Sequence, residues 1–220
     1  MIKNILAVGD SFTYGEELDD VNNAYPYVLA RQLGANITNL AKPGSGNTRM
    51  VRYIIESISK NKDIDLVIIA WSSAGRMEFA DACGPYDIWP GYSGNMFRAG
   101  GQEWRMELLK YINTHHNTSY IYEKYLLDII MIQSFLKQQN INYIMLRTVG
   151  NEYYHNSHWL QFKLLDDLID KTYYLGWPSE GMSEWTNGCK RGPNGHFLKE
   201  GHQRVADKIN EYIRNLGWLP

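Results

Sequence analysis

The stretch Leu66-Val67-Ile68-Ile69-Ala70-Trp71 is an unbroken apolar run of strand length. A strand with one exposed face alternates apolar and polar side chains, so this run indicates a strand covered on both faces, as in a parallel sheet. Apolar runs at 2–8 and 141–146 have the same character, and stretches with helical spacing lie between the runs. The alternation predicts an α/β fold: a three-layer α/β/α sandwich with a central, mostly parallel sheet.

The 220 residues are expected to form a single domain, 1–220, with long loop insertions near 72–105 and 173–197. Both insertions are rich in aromatic residues and glycine and show little periodicity. Aromatic side chains in loops often line sites for sugars or flat ligands, but we expect most of these to pack the loops onto the domain. Helical spacing predicts helices at 25–33, 48–60, 120–139, 159–169 and 199–216.

Charge and composition exclude several classes of protein. The 22 basic and 24 acidic residues nearly cancel, and no basic stripe is present, so we expect no nucleic-acid partner. No apolar run approaches membrane-spanning length, and the run at 2–8 is too short for a signal peptide, which predicts a cytoplasmic protein without membrane contact. Cys83 and Cys189 lie in no CxxC pair and are expected to be free thiols.

Candidate chemical groups follow three of the predicted strands. They lie in the segments 9–13, 44–47 and 71–73, and the carboxyl ends of parallel strands are where such folds bind ligands. Ser11 directly follows the first strand, which would expose its hydroxyl at the edge of the sheet. His196 precedes the last helix and can lie over the same edge. A serine with a nearby histidine base is the usual arrangement for nucleophilic catalysis.

These segments carry a resemblance to the SGNH (GDSL) hydrolase family. Gly9-Asp10-Ser11-Phe12-Thr13 resembles its first block, and Asn39-Leu40-Ala41-Lys42-Pro43-Gly44 resembles its second. Pro193-Asn194-Gly195-His196, with Gly201-His202 soon after, resembles its last block. The resemblance spans nearly the whole chain and implies a flavodoxin-like sheet. It also implies a nucleophile at Ser11, a general base at His196 and an oxyanion hole that includes the N–H groups of Ser11 and Gly44.

Two positions depart from the family's pattern. The asparagine of the oxyanion hole is replaced by Ser72, which can still donate one hydrogen bond. The aspartate that orients the histidine falls on Pro193, which has no side-chain acceptor. A backbone carbonyl or another acid then performs that role, or a Ser–His dyad works alone, or catalysis is lost. The acids available in the predicted loops are Glu78, Asp81, Asp87 and Glu184.

The same residues allow other interpretations. Asp10 and Ser11 could merely cap a helix, and His202 could be a packed or capping histidine. The segment Ser11-Phe12-Thr13-Tyr14-Gly15 invites comparison with a flavin phosphate loop, which would leave His196 unexplained. Gly44-Ser45-Gly46 lacks the third glycine of a dinucleotide fingerprint. The remaining histidines lack supporting acids for a metal site, so we expect neither metal nor cofactor; they are His115, His116, His155 and His158.

The sequence therefore predicts a serine ester hydrolase that works through an acyl-Ser11 intermediate. The substrate is expected to be a small-molecule or glycan ester, with a small acyl group such as acetyl, and carbohydrate O-deacetylation is one such activity. The alternative is a catalytically inactive SGNH-like module that binds a glycan or another small polar ligand. The sequence does not indicate the oligomeric state.

Overall fold

The central sheet of the computed structural model is parallel throughout. The structure describes residues 2–81, 84–89, 103–115, 117–148 and 162–219. The sheet has the strand order β2-β1-β3-β6, in which β1 is Asn4–Val8, β2 is Asn36–Asn39, β3 is Leu66–Trp71 and β6 is Asn142–Arg147. Neighbouring strands of the sheet pair in parallel, and Ile68, for example, lies opposite Ile144. Beyond β6, an isolated parallel bridge joins Met145 to Tyr174. Tyr174 therefore occupies the place of a fifth strand without forming one.

Helices cover both faces of this sheet. One core packs α3 (Asn47–Lys60) and α5 (Thr118–Gln138) against alternate strand residues such as Val67 and Ile69. The other packs α2 (Tyr25–Leu33) and α8 (Lys199–Asn215) against the intervening residues, such as Ile68 and Ala70. Every side chain of β3 is buried, as its apolar run predicted. The three-layer α/β/α architecture is therefore confirmed.

The segment after β3 is more ordered than the sequence predicted. We expected a structureless loop, but β4 (Met77–Asp81) and β5 (Gly84–Ile88) form an antiparallel hairpin, and α4 (Glu103–His115) follows. A small apolar cluster joins the hairpin to α4 around Ile88, Leu109 and Ile112. The hairpin escaped prediction because Gly84-Pro85 is a poor strand sequence and because its contacts are with other elements, among them this cluster with α4.

The second predicted loop region also has structure. The short helix α7 (Met182–Trp185) lies within it, and Tyr174, Trp177 and Trp185 pack against the two cores. These three aromatic residues therefore pack this segment onto the domain. The helix predicted over 159–169 is reduced to α6 (Lys163–Asp167), and residues 159–161 lie outside the described part of the chain.

Two remaining expectations concern thiols and membranes. Cys189 is a free, buried thiol, whereas Cys83 lies outside the described residues. No helix in the described part of the chain combines the length and the apolar character needed to cross a bilayer.

Candidate active site

Ser11 is positioned by a tight turn at the carboxyl end of β1. It begins the one-turn helix α1 (Ser11–Tyr14), whose N-cap Asp10 accepts the Phe12 N–H through Oδ1 at 3.1 Å. Gly9 is required here, because a Cβ at this position would lie 2.1 Å from Thr13 Oγ1. The Asn39 side-chain amide also donates to the Thr13 carbonyl, which ties α1 to the end of β2.

The carboxylate of Asp10 is fully buried and joins the ends of three strands. Its Oδ2 accepts hydrogen bonds from Ser72 Oγ at 2.7 Å and Thr148 Oγ1 at 2.9 Å, and the Arg76 guanidinium lies 3.1 Å away. The Ser72 hydroxyl has one proton, and this proton is directed to Asp10. Ser72, which the sequence predicts as an oxyanion donor, therefore lies at the expected edge of the sheet. Its hydroxyl donates to Asp10 in this structure.

His196 is presented by a narrow loop before α8. The Gly192 N–H donates to the His196 carbonyl at 2.8 Å, and Arg191 and Phe197 form an antiparallel bridge. Gly195 has φ of 87°, a left-handed conformation that glycine adopts without steric cost. The His196 ring packs against Phe12 with centroids 4.7 Å apart.

Ser11, His196 and Glu17 form a continuous hydrogen-bonded chain. His196 Nε2 lies 2.8 Å from Ser11 Oγ, and His196 Nδ1 lies 2.8 Å from Glu17 Oε2. Glu17 also accepts the N–H groups of Asn194, at 2.7 Å, and of His196, at 3.0 Å. This serine–histidine–acid geometry has the pattern of a catalytic triad.

Glu17 determines which nitrogen of His196 carries the proton. Burial alone would raise the pKa of the Glu17 carboxyl, but the Asn194 and His196 N–H groups and the His196 ring lower it below its usual value. An ionised carboxylate can only accept, so Nδ1 carries the proton and Nε2 has a free lone pair toward Ser11. That tautomer is the one that can take the proton from the serine hydroxyl.

The loop that contains Gly44 lies beside the turn that contains Ser11. The Lys42 N–H donates to the Gly9 carbonyl at 3.2 Å, and Gly44 adopts φ of 75°. Asn47 fixes the end of this loop to β3, because its side chain accepts the Ser72 N–H and donates to the Ser73 carbonyl. Within the described residues, the N–H groups of Ser11 and Gly44 have no acceptor, so both remain free to bind an oxyanion.

The acid beside His196 was missed in the sequence. Glu78 and Asp87 instead pair with Arg49, Glu184 is exposed on α7, and the side chain of Asp81 lies outside the described residues. Glu17 follows Ser11 by only six positions, whereas the resemblance directed attention to the segment before His196. Its signal was an acid close after Ser11, in a turn that begins with Gly15.

His202 is a packed and capping histidine. It is 1% exposed, and its Nδ1 accepts the Tyr25 N–H at the start of α2. His115 is exposed at the end of α4, and the other three histidines considered for a metal lie outside the described residues; they are His116, His155 and His158.

Comparisons with solved structures agree with this fold. TesA has a TM-score of 0.58 at 12% identity, with 97% of this chain and 99% of that chain covered. A family two carbohydrate esterase from Clostridium thermocellum, in complex with cellohexaose, has a TM-score of 0.57 at 17% identity, with 99% and 65% covered. A psychrotrophic esterase, EstA, from Pseudoalteromonas sp. has a TM-score of 0.56 at 9% identity, with 99% and 100% covered.

The same architecture is found in a protein from Desulfitobacterium hafniense DCB-2 described as a candidate lipolytic protein of the G-D-S-L family. Its TM-score is 0.50 at 13% identity, with 96% of this chain and 99% of that chain covered. The fold is thus that of SGNH hydrolases. No curated protein matches the sequence. A family model described as a family of unknown function, DUF6071, matches residues 15–219. The chain belongs to the DUF6071 family.

Proposed function

We propose that this protein is a serine ester hydrolase with Ser11 as nucleophile, His196 as general base and Glu17 as the acid that positions His196. The observation that carries the proposal is the unbroken contact chain, 2.8 Å from Ser11 Oγ to His196 Nε2 and 2.8 Å from His196 Nδ1 to Glu17 Oε2. A helix cap needs neither the histidine nor the acid, so these contacts favour a nucleophile over a capping role for Ser11.

The reaction proceeds in two halves. Ser11 Oγ forms a bond to the acyl carbon while its proton passes to His196 Nε2, and the carbonyl oxygen becomes an oxyanion near the Ser11 and Gly44 N–H groups. The ester C–O bond then breaks, and the leaving alcohol takes the proton from Nε2. Water attacks the acyl-serine, gives its proton to Nε2 and releases the acid, after which Ser11 regains its proton.

The inactive binding module rests on two departures, the missing acid at Pro193 and Ser72 in place of the oxyanion-hole asparagine. Glu17 supplies a carboxylate at the ring nitrogen that the missing acid would contact, which answers the first departure. The Ser72 hydroxyl donates to Asp10, so the proposal relies on the N–H groups of Ser11 and Gly44 for the oxyanion. The flavin alternative leaves the contact between Ser11 and His196 unexplained. An ester of a small acyl group such as acetyl, on a sugar or another small polar alcohol, is the substrate class that we propose. The fold shared with carbohydrate esterases is compatible with it.

The test compares hydrolysis of p-nitrophenyl acetate by the natural protein, Ser11→Ala and His196→Ala. Each variant is expected to lose at least about 10³-fold in kcat/KM, because nucleophile and base act as one unit. Ser134→Ala and His115→Ala, on the surfaces of α5 and α4, are the matched controls and should retain activity. A fluorophosphonate probe should label the natural protein at Ser11, as read by mass spectrometry. If the natural protein neither hydrolyses the ester nor becomes labelled at Ser11, the proposal is overturned.

A further inference from the structure

A second carboxylate, that of Glu16, lies at the catalytic histidine. Its Oε2 is 3.6 Å from His196 Nε2, the same nitrogen that contacts Ser11 Oγ. Glu17 faces Nδ1 on the opposite side of the ring, so the two consecutive acids lie on either side of His196. Glu17 has the role of positioning acid, whereas no step of the reaction requires Glu16.

Glu16 is open to solvent and lies beside the His196 ring. Its side chain is 40% exposed, compared with 8% for Glu17. Across the described residues, no lysine or arginine forms an ion pair with it. Its backbone is nevertheless fixed, because the Glu16 N–H donates to the Ser11 carbonyl at 3.0 Å. The carboxylate is therefore a solvent-accessible negative charge beside His196 Nε2, on a backbone that is tied to Ser11.

The chemistry of ester cleavage identifies what this charge would meet. The leaving oxygen takes its proton from His196 Nε2, so this oxygen must come within hydrogen-bond distance of that nitrogen. Glu16 Oε2 lies 3.6 Å from Nε2, so the substituents of the leaving alcohol pass beside the carboxylate. The acyl group lies on the far side of the ester bond.

We infer that Glu16 selects the leaving alcohol: it favours alcohols that carry a cationic centre or hydroxyl groups and disfavours those that carry a negative charge. A carboxylate accepts hydrogen bonds from hydroxyl groups and attracts an ammonium group, and it repels a carboxylate or phosphate. The inference rests on the proposed function, since it requires that His196 protonate a leaving alcohol. It makes Glu16 a specificity-determining residue for that reaction.

Three aryl acetates of similar shape separate charge from reactivity: phenyl acetate, 3-acetoxybenzoate and 3-acetoxy-N,N,N-trimethylanilinium. In the natural protein, kcat/KM corrected for the intrinsic reactivity of each ester should fall from the cation through the neutral ester to the anion. In Glu16→Gln the ratio of cation to anion should fall by about fivefold, as expected for a partly exposed charge. Raising the salt concentration should compress the ratio in the natural protein but not in the variant.

Asp19→Asn is the matched control, because it removes an exposed carboxylate three residues away and should leave the ratio unchanged. Mono-acetylated glucose and acetylcholine distinguish hydroxyl recognition from cation recognition, and the ester whose kcat/KM falls more in Glu16→Gln identifies the favoured alcohol. A ratio unchanged in Glu16→Gln, or one that falls equally in Asp19→Asn, would overturn the inference while hydrolysis itself persists. The absence of Ser11-dependent hydrolysis of any ester would instead refute the proposed function.

Discussion

Glu17 adopts a backbone conformation that residues other than glycine rarely occupy. Its φ is 70°, in the left-handed region, which disfavours side chains with a Cβ. Such strain persists where the surroundings impose it, often at functional sites. Here the carboxylate accepts two backbone N–H groups and the His196 ring, and these three contacts offset the cost of the conformation. The strained residue is thus the one that holds the histidine loop beside Ser11.

Replacing the Glu17 carboxylate with an amide should impair catalysis without unfolding the protein. In Glu17→Gln, the amide N–H can donate to Nδ1, which moves the ring proton to Nε2 and removes the lone pair that faces Ser11. We expect kcat to fall by about 10²- to 10⁴-fold, while thermal unfolding shows the protein still folded. Glu17→Asp should restore part of the activity.

Glu184→Gln, at an exposed acid of α7 that the sequence offered for this role, is the control and should stay within about twofold of the natural kcat. Activity that is equal in Glu17→Gln and Glu184→Gln would contradict the positioning role of Glu17.

Gly192 packs against the Glu17 carboxylate and offers a second way to perturb it. A Cβ at this position would lie 2.6 Å from Glu17 Cδ and 2.7–2.8 Å from its two oxygens. Gly192→Ala should therefore displace the carboxylate and lower kcat. In the Glu17→Gln background the same substitution should cost much less, because the contact is already lost. Additive losses in this double-mutant cycle would show that Gly192 acts on something other than the Glu17–His196 contact.

Much of the candidate site could be predicted from short-range sequence signals. Ser11, Gly44 and His196 each follow a strand or precede a helix, and the ends of parallel strands bring such residues together. The structure brings Ser11 and His196 into contact, as expected. Glu17 could not be found in this way, because its approach to His196 depends on a left-handed turn and on a loop from the other end of the chain. The role of Ser72 also depends on a partner, Asp10, that the strand pattern does not identify.

At the scale of elements, the β4–β5 hairpin is fastened to α3 by buried charges. Arg49, 1% exposed, donates from Nε to Asp87 Oδ2 at 2.8 Å and lies 3.4 Å from Glu78. Burial raises the pKa of the Asp87 carboxyl above its usual range, although the Gly46 N–H and Arg49 act in the opposite direction. Because Asp87 Oδ1 also accepts the Gly46 N–H at 2.8 Å, the hairpin supports the loop that presents Gly44.

Removing Arg49 should destabilise the protein strongly. Arg49→Met leaves Asp87 and Glu78 without this buried partner, and we expect the free energy of unfolding to fall by about 3–5 kcal/mol. Arg204→Met breaks an exposed pair with Glu200 on α8 and should cost only about 0.5 kcal/mol. Urea unfolding of the two variants measures both values. If both variants lose the same free energy of unfolding, the contacts of Arg49 with Asp87 and Glu78 contribute no more than a surface ion pair.

At the scale of the whole molecule, His202 joins α8 to α2 in a state that resists protonation. Burial lowers the pKa of His202 from its usual 6.5 to about 3, and the charge of His196 acts in the same direction. Its Nδ1 accepts the Tyr25 N–H, and its ring packs against Phe197 with centroids 4.5 Å apart. The histidine therefore stays neutral while it fills the contact between the two helices on one face of the sheet.

Because of His202, the free energy of unfolding should decrease as the pH is lowered below about 6.5. Between pH 6.5 and about 3, the unfolded chain binds a proton at His202 that the folded chain does not, so folding is favoured less as the pH decreases. Between these pH values, each unit of decrease lowers the free energy of unfolding by at most about 1.4 kcal/mol. Above pH 6.5, His202 is neutral in both states and no longer changes it. Urea unfolding at pH 7, 6 and 5 measures it.

His202→Gln should reduce this dependence, whereas His115→Gln controls for the loss of any histidine. If the slope in His202→Gln equals that of the natural protein, other groups cause the acid sensitivity.

The architecture was predictable because it depends on apolar periodicity along the chain. The buried strand β3 and the helix α8, whose apolar stripe includes Val205, Ile209 and Ile213, lie where their patterns predicted. The hairpin and α4 were not predicted, since the small cluster that they bury combines residues distant in sequence. The apolar pattern of one segment indicates which of its faces is buried. It does not indicate which distant segment packs against that face.

Ser11 and Glu17, the proposed nucleophile and its proposed positioning acid, lie within seven consecutive residues, 11–17, and only the histidine comes from elsewhere. Two of the three proposed catalytic groups therefore lie in one short segment that could be transferred as a unit. A protein of the same fold that already carries a histidine above the end of its first strand needs one exchanged turn, plus a glycine where Gly192 makes room, rather than three separate grafts. On the proposed function, the compact segment makes this chain a donor for engineered hydrolases.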